Sequence, residues 1–316
     1  MRKRNSLKPL RVMMWLVVPL LLLSGCDAAL IDPAGQVGQG LRSLIFTAFA
    51  LMMIVVIPVI IMTILFAWRY RQTNLAAKYT PNWEHSTIIE VFVWFIPLVI
   101  IVFLAIITWQ TSHQYDPHNP NSVTENPEEV MEIQAVSLDW KWLFIYPDLN
   151  IATVNEVAFP VDQPVRFQVT SGTVMNSFMI PTLGSQIYAM AGMDNDVYLE
   201  SDREGVFRGR STNYSGRGFS QMLFDARVTS EQEFQQWVQQ VRQSPDTLTY
   251  PQEYEALAEP TVAHPVEYFS QIAPHLYQDI LNRFRGGPSD GNHGNHGREQ
   301  NHSSDQAHAM SAQAAE

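Results

Sequence analysis

The chain has 316 residues and a formal net charge of −11, and 46% of its residues are hydrophobic. This length is enough for one or two domains, and the apolar share can supply membrane segments as well as a core. The excess of acidic residues argues against nucleic acid as a partner, because binding to the phosphate backbone relies on lysine and arginine.

The first 25 residues have the features of an export signal. Basic residues precede an apolar stretch, 12–23, that is too short to span a membrane. The string Leu23-Ser24-Gly25-Cys26 that follows resembles a bacterial lipobox. We expect residues 1–25 to be removed and Cys26, the single cysteine, to begin a lipidated segment, 26–43. No thiolate then remains for the folded domain, and the net charge becomes about −16.

Two long uncharged stretches follow. No charged residue occurs in residues 44–68 or in residues 91–109. At about 1.5 Å per residue, each stretch is long enough to cross a hydrocarbon layer of about 30 Å. The sequence therefore predicts two transmembrane helices, 44–68 and 88–110, joined by a loop, 69–87.

The distribution of charge around these spans predicts their orientation. The loop carries Arg69, Arg71 and Lys78 against Glu84, whereas no basic residue follows the second span until Lys141. Positively charged loops stay in the cytoplasm. The lipidated N-terminus and the large C-terminal part then lie in the periplasm, which agrees with a cleaved export signal.

A linker, 111–129, leads to a part of the chain that is rich in short β-prone runs. Turn residues separate these runs over residues 130–229, and this spacing is typical of a Greek-key sandwich or barrel. The predicted runs are 130–146, 151–159, 165–170, 177–180, 186–190, 197–200, 205–210 and 219–228.

Four aromatic residues alternate within the first run. In an extended strand Trp140, Trp142, Phe144 and Tyr146 would all lie on one face. Core packing or a subunit interface explains such a stripe more often than chemistry does.

A helical arm, 230–286, is predicted after the β-rich part. Ser230 and Glu233 form a capping-box pattern, which indicates a helix start. A second helix is expected over residues 275–285, before Gly286. The apolar stripes of these two helices are Phe234, Trp237, Val238 and Val241, and then Leu276, Ile280, Leu281 and Phe284.

The last residues, 287–316, contain hardly any large apolar side chain, and we expect this tail to be disordered. Loose metal binding by its histidines stays open, although irregularly spaced histidines in such a tail more often form no structured site. The four are His293, His296, His302 and His308.

Residues 211–222, the two-helix hairpin and the exported β part together resemble subunit II of the haem–copper terminal oxidases. Copper-bearing members have the pattern Cys-x-Glu-x-Cys-Gly-x-x-His-x-x-Met, and a further histidine on an earlier strand in a His-Ser-Phe context. Only Gly216 and Met222 keep that pattern here. The other ligand positions hold Asn176, Ser211, Asn213, Ser215 and Phe219.

These replacements remove the chemistry of a copper site. Thiolate and imidazole hold copper in such centres, and the thioether of Met222 alone is too weak a ligand. A chain that keeps the surrounding sequence but lacks the copper ligands resembles the quinol-oxidising branch of the family. The similarity is to subunit II of the cytochrome bo-type ubiquinol oxidases, and it extends from the lipobox to residues 265–270.

This resemblance implies a two-helix transmembrane hairpin, an all-β cupredoxin-like Greek-key domain and a C-terminal helical extension. It implies a complex that oxidises ubiquinol, reduces oxygen to water and pumps protons in the bacterial inner membrane. The haems and copper would lie in the large subunit. This chain would be a non-catalytic subunit that has no cofactor, braces the large subunit and caps its outer face.

The expected partners are the large subunit, further small membrane subunits, the lipid membrane and, through the complex, ubiquinol. Cytochrome c is not expected as a partner. Trp140 and Trp142 lie in the aromatic segment of the family, and they are candidate interface residues.

Glu90 is the candidate for proton chemistry. It lies at the cytoplasmic start of the second predicted span, where a charge costs less free energy than at mid-bilayer. In the resembled family a glutamate here is near the mouth of a proton pathway. The alternative is an interfacial carboxylate that reaches water past Asn82 and His85.

Two other functions are considered. A copper-dependent cytochrome c oxidase subunit would need the cysteines and histidines that are missing. A stand-alone membrane lipoprotein could use the β domain for copper delivery or protein binding, and it would not co-purify with haem-bearing subunits.

Overall fold

The computed structural model describes residues 29–78, 80, 82–124 and 130–285. The export signal, Cys26 and the histidine-containing tail lie outside these residues, so the expectations for them stay predictions.

Two long helices form a hairpin. Helix α1 spans Gln36–Arg69 and helix α2 spans Thr87–Gln114, and Pro58 and Pro97 lie inside them. Both helices are long and apolar enough to cross a membrane, and none of the side chains in their most apolar windows is buried within the chain. The predicted spans 44–68 and 88–110 lie within these helices, which extend beyond the spans toward the domain.

Thirteen strands and three α-helices follow in the described residues. The strands are β1 (Met131–Leu138), β2 (Lys141–Tyr146), β3 (Ile151–Val154), β4 (Glu156–Pro160), β5 (Val165–Ser171), β6 (Asn176–Met179), β7 (Ile187–Ala189), β8 (Asn195–Leu199), β9 (Gly205–Ser211), β10 (Leu223–Thr229), β11 (Thr247–Leu248), β12 (Glu267–Phe269) and β13 (Gln271–Ile272). The helices are α3 (Glu231–Arg242), α4 (Gln252–Ala258) and α5 (Leu276–Arg285).

The strands form a sandwich of two larger sheets and one small sheet. The first sheet has the order β12-β3-β2-β1-β5-β8, and the second has the order β4-β10-β9-β6-β7. Strand β1 lies between β2, its antiparallel partner, and β5, its parallel partner. Such pairing between strands that are not consecutive in the chain is typical of a Greek key. The predicted β sandwich is therefore confirmed, and most predicted runs lie within one or two residues of the observed strands.

Apolar side chains are buried on both faces of the first sheet. One cluster lies between the two larger sheets and includes Trp142, Phe144 and Phe178. The other lies between the first sheet and the C-terminal arm and includes Leu143 and Tyr254. Strand β2 contributes to both clusters, which explains why all six of its residues are buried.

The expectation of four aromatics on one strand face is wrong for Trp140. Residues 130–146 form two strands rather than one, and Leu138 pairs directly with Lys141 across a two-residue turn. Trp140 lies in that turn at a φ of 66°, a conformation that bulky residues rarely adopt. The aromatic residues on β2 lie in the core between the larger sheets, and Trp140 packs against the edge of the same cluster from the turn, outside the strand.

The C-terminal arm contains strands as well as helices. The predicted helix start at Ser230 is confirmed, because the Ser230 side chain accepts a hydrogen bond from the Glu233 N–H at 3.3 Å. Strand β12 extends the first sheet by pairing with β3. The prediction missed α4 and the short strands β11 to β13, and it was wrong for Phe284, which is 42% exposed on α5.

A buried carboxylate joins this arm to the sandwich. The Glu156 carboxylate accepts hydrogen bonds from Trp237 Nε1 at 2.8 Å and from the Tyr268 hydroxyl at 2.6 Å. Arg227 Nη1 lies 3.3 Å from its second oxygen. Burial raises the pKa of Tyr268 to about 12, and the hydrogen bond to Glu156 acts in the same direction.

Tyr268→Phe should destabilise the chain by about 1.5–3 kcal/mol, because it removes a hydrogen bond to a charged acceptor. Tyr268 has a raised pKa, so its contribution is complete below pH 10 and is lost as the pH rises through about 12. Denaturant unfolding of the full chain in detergent, followed by tryptophan fluorescence, should show the two proteins converging over that range. Tyr214→Phe is the control, because Tyr214 is 76% exposed, and an equal loss there would contradict the prediction.

The segment before α1 is tied to the domain by a set of contacts that we call the collar. The Ala34 and Gly38 N–H groups donate to the Thr182 and Leu183 carbonyls at 2.9 and 3.0 Å. Gln39 Nε2 donates to Asp202 at 2.6 Å. A Cβ atom at Gly35 would lie 2.2 Å from the Glu200 carbonyl oxygen, so only glycine permits this approach.

Candidate functional site

The residues at the copper-ligand positions converge at one end of the second sheet. Asn176 begins β6 and Ser211 ends β9, and these two strands pair through Phe178 and Ser211. The Ser211 N–H donates to the Met222 carbonyl at 3.2 Å, which closes the loop between β9 and β10. The structure therefore brings Asn176, Ser211 and Met222 together, as the resemblance implies.

Two of these side chains contact each other directly. The Ser211 hydroxyl donates to Asn176 Oδ1, and both residues are buried. Asn176 Nδ2 and the Ser215 hydroxyl oxygen are also buried, and neither has a hydrogen-bond partner among the described residues. Such atoms usually mark ordered water or a former functional site, because an unpaired buried polar group costs free energy.

The remaining positions lie in the loop that follows β9. Phe219 begins a short 3-10 helix, Phe219–Gln221, so the predicted strand 219–228 begins instead at Leu223. Its ring packs against Tyr214 with the centroids 5.7 Å apart. Asn213 Nδ2 donates to the Met175 carbonyl at 3.1 Å.

Trp140 packs against this loop. Its indole Nε1 donates to the Ser215 carbonyl at 3.0 Å, and the Arg217 guanidinium lies 5.7 Å from the centre of its ring. A Cβ atom at Gly218 would lie 2.4 Å from the indole, so the loop can cross the ring only with glycine there. These contacts compensate for the unusual backbone conformation of Trp140.

Trp142 does not have the interface role considered for it. Its side chain is completely buried and packs edge-on against Phe178 and Phe224 at centroid distances of 5.3 and 6.0 Å. A side chain with no accessible surface cannot contact another subunit. Of the two explanations for the aromatic stripe, core packing is therefore correct for Trp142, and Trp140 stays an interface candidate.

The donor set at this end of the sheet does not fit copper. Residues 130–229 contain no cysteine and no histidine. The ligand positions offer hydroxyl and amide oxygens and one thioether, whereas copper prefers thiolate and imidazole. In the described ranges, no three His, Cys, Asp or Glu residues are grouped so that they could hold a metal ion.

Glu90 lies in the first turn of α2, four residues after the N-cap residue Ser86. Its side chain is exposed, and its N–H donates to the Ser86 carbonyl at 2.9 Å. An acidic residue in the first turn interacts favourably with the helix dipole. In the part of the chain that the structure describes, this side chain stays exposed, so it is open to water, lipid or a partner.

The sequence interpretation missed Lys141, which joins the turn at Trp140 to the arm. Lys141 is 1% exposed, and its ammonium group donates to the Glu259 carbonyl at 2.8 Å and to the Thr261 hydroxyl. Burial lowers its pKa. The sequence feature that could have indicated its burial is a lysine between two tryptophans at the start of a strand, where a charged residue is unexpected.

Comparisons with known families match the domain and the arm separately. The model "Cytochrome C oxidase subunit II, periplasmic domain" matches residues 146–228. The model "COX Aromatic Rich Motif" matches residues 242–287. The boundary between them coincides with α3, which packs on the sandwich and begins the arm.

Curated relatives cover most of the chain. Cytochrome bo(3) ubiquinol oxidase subunit 2 of Pseudomonas aeruginosa is 52% identical over 294 residues, which are 91% of this chain and 87% of the relative. Ubiquinol oxidase subunit 2 of Acetobacter aceti is 49% identical over 267 residues, 84% of each chain. Quinol oxidase subunit 2 of Bacillus subtilis is 36% identical over 248 residues, 78% of this chain and 76% of the relative.

Proposed function

The chain belongs to the ubiquinol oxidase subunit 2 family, and from this premise we propose that it serves a proton-pumping ubiquinol oxidase without a redox centre of its own. The observation that carries the proposal is the cupredoxin-like fold whose copper-ligand positions hold asparagine, serine and phenylalanine in place of cysteine, glutamate and histidine. Asn176 and Ser211 lie in contact there, but neither supplies the sulfur or imidazole that copper needs. Electrons would reach the large subunit from a membrane quinol rather than through this domain.

Membership of this family makes the chain a membrane-anchored partner of a large haem–copper subunit. The hairpin supports that role, because α1 and α2 expose apolar side chains that need lipid or other helices around them. Further small membrane subunits, a location in the bacterial inner membrane and a periplasmic domain belong to the proposal.

Trp140 is proposed as a contact with the large subunit. Its indole is partly exposed and donates to the loop that contains Tyr214, and Asn213 of the same loop contacts the Met175 carbonyl. The exposed side chains of this region are Val174, Met175 and Tyr214, which are 52%, 45% and 76% accessible. Aromatic and methionine side chains are enriched at protein interfaces. The patch also lies beside Ser215, one of the positions that hold copper ligands in the copper-bearing members of the family.

Purification of the tagged chain from membranes with a mild detergent tests this function. The proposal expects a haem-bearing large subunit to co-purify, and it expects the complex to consume oxygen with ubiquinol and not with reduced cytochrome c. Purification without haem would favour the stand-alone lipoprotein. Oxidation of cytochrome c with copper bound in this chain would favour the copper-dependent oxidase.

If Glu90 is part of the proton pathway, Glu90→Gln should lower ubiquinol oxidase turnover by about tenfold, because the amide keeps the shape but cannot carry a proton. Haem content and subunit composition should not change. Glu90→Asp, which keeps the titrating group, should be milder. The measurement is oxygen consumption by the purified complex between pH 6 and pH 9.

Glu84→Gln is the matched control, because it removes another exposed carboxylate from the loop just before α2. Equal turnover in the wild type and Glu90→Gln at every pH would support the interfacial role of Glu90 instead. An equal loss in both glutamine variants would show a general effect of charge.

We propose that Cys26 is the lipid-attachment residue and that Asp27 after it helps to retain the chain in the inner membrane. Cys26→Ala should leave a precursor that is 25 residues longer than the processed chain, because the cysteine sulfur is the atom to which the lipid is attached. Assembly should survive, since two spans already hold the chain. Intact-mass spectrometry distinguishes the two forms, and a processed wild-type chain without acyl groups would contradict the prediction.

A further inference from the structure

A groove of about 680 Å³ lies between the segment that precedes α1 and the outer face of β9. Strand β9 buries Gly209 and Ser211 and exposes the alternate residues Val206, Arg208 and Arg210. Leu30 and the other residues before α1 form the opposite wall. The groove is therefore lined by the arginines and apolar side chains of β9 on one side, and by Ala29, Leu30 and Asp32 on the other.

Three arginines, Arg203, Arg208 and Arg210, line this groove of an acidic protein. Residues 130–229 contain seven lysines and arginines, and five of them fall within residues 203–227. Only two acidic residues, Glu204 and Asp225, occur in that segment. Because the whole chain has a net charge of −11, this face attracts anions that most of the surface repels.

The charges in the groove are only partly neutralised. Arg203 pairs with Asp32 at 2.8 Å, which lowers the pKa of that carboxyl and keeps it ionised. Arg208 Nε lies 3.1 Å from Asp225. Arg210 has no ion pair among the described residues, so the groove keeps excess positive charge.

The groove lies close to the membrane surface. Helix α1 begins at Gln36, and Leu44, where the uncharged stretch starts, is about 12 Å further along the helix axis. Leu30 and Ile31 are 42% and 55% exposed beside the groove. Arg42, two residues before Leu44, lies close enough to act on Asp32. Phospholipid headgroups occupy this depth.

We propose that this groove binds the phosphate group of an anionic phospholipid in the leaflet next to the domain. Arg208 and Arg210 contact the phosphate, whose oxygens suit the planar guanidinium. Leu30 and Ile31 contact the first carbons of the acyl chains. An acidic protein surface would satisfy the arginines but would leave these apolar side chains beside the membrane uncovered, so the observations favour lipid.

The test uses the full-length chain in its detergent-extracted, delipidated complex. Phosphatidylglycerol is titrated in, and native mass spectrometry counts the lipids bound. The variant R208Q/R210Q should bind the lipid at this site about thirtyfold more weakly, because each arginine near an anionic surface contributes roughly a factor of five. The control R242Q/R283Q removes two exposed arginines from the arm and should bind like the wild type.

Further measurements distinguish a lipid phosphate from other sources of phosphate. Phosphatidylcholine should bind more weakly than phosphatidylglycerol, and R208K/R210K, which keeps both charges, should retain the lipid. Equal binding of phosphatidylglycerol by the wild type and R208Q/R210Q would overturn the proposal.

Displacement of the lipid by millimolar inorganic phosphate would assign the groove to free phosphate. Loss of the large subunit from R208Q/R210Q would assign it to a protein partner, and either result overturns a lipid site.

Discussion

The variant N176H/S211C/N213E/S215C/F219H should bind copper stoichiometrically and acquire intense visible absorption from thiolate-to-copper charge transfer. The five changes restore two thiolates and two imidazoles to a frame that already contains Met222. The geometry supports this expectation, because the Asn176 and Ser211 side chains lie in contact and the chain returns to Met222 beside them. The unmodified chain should stay colourless under the same copper addition.

Metal analysis and visible spectroscopy of the full chain in detergent measure the result. The control variant N176H/S211C/N213E/F219H keeps Ser215 and lacks one thiolate, so it should bind copper more weakly and with a different spectrum. A fivefold variant that is folded by circular dichroism but colourless would show that the ligand positions are assigned wrongly. Stoichiometric copper in the unmodified domain would contradict the quinol oxidase assignment.

Phe178→Ala should lower the free energy of unfolding by about 3–5 kcal/mol, the range for large-to-small changes at buried aromatic positions. Phe178 is completely buried between the two larger sheets. Its ring stacks on Phe224 at 5.2 Å and contacts Phe167 at 5.0 Å. Removing it leaves a cavity at the centre of the aromatic cluster, beside the copper-ligand positions.

Denaturant unfolding followed by tryptophan fluorescence gives the measurement, because Trp142 lies 5.3 Å from Phe178 and reports on its surroundings. Phe178→Leu should cost less, since it fills most of the cavity. Val174→Ala is the surface control, because Val174 is 52% exposed, and it should change stability by less than about 0.5 kcal/mol. A loss below about 1 kcal/mol for Phe178→Ala would mean that the cluster is not a close-packed core.

The sequence predicted the elements whose pattern is local. The strand runs follow from alternation and turn residues, the start of α3 follows from Ser230 and Glu233, and the hairpin follows from two uncharged stretches. The turn at Trp140 was missed because its residues, Asp139 and Trp140, include no glycine or asparagine to mark a tight turn. Strands β11 to β13 have two or three residues each, too few to show a period.

The candidate site was predictable only in part. The resemblance gave the ligand positions, and the structure brings Asn176, Ser211 and Met222 together as it implied. The unpaired Asn176 Nδ2 and the burial of Lys141 depend on packing between distant segments, which no local pattern reveals. The same holds for the groove beside β9, because its two walls are far apart in the sequence.

The contacts of the collar determine the order in which helix α1 and the domain can reach their final arrangement during synthesis. Gln39 and Asp202 are 163 residues apart, and Asp32 and Arg203 are 171 apart. At typical synthesis rates of roughly 5–20 residues per second, the partners of this segment are made about ten to thirty seconds after it. Helix α1 must therefore reach the membrane while its collar residues still face water. Its final rotation about the helix axis is fixed only when the domain has been made and has folded against it.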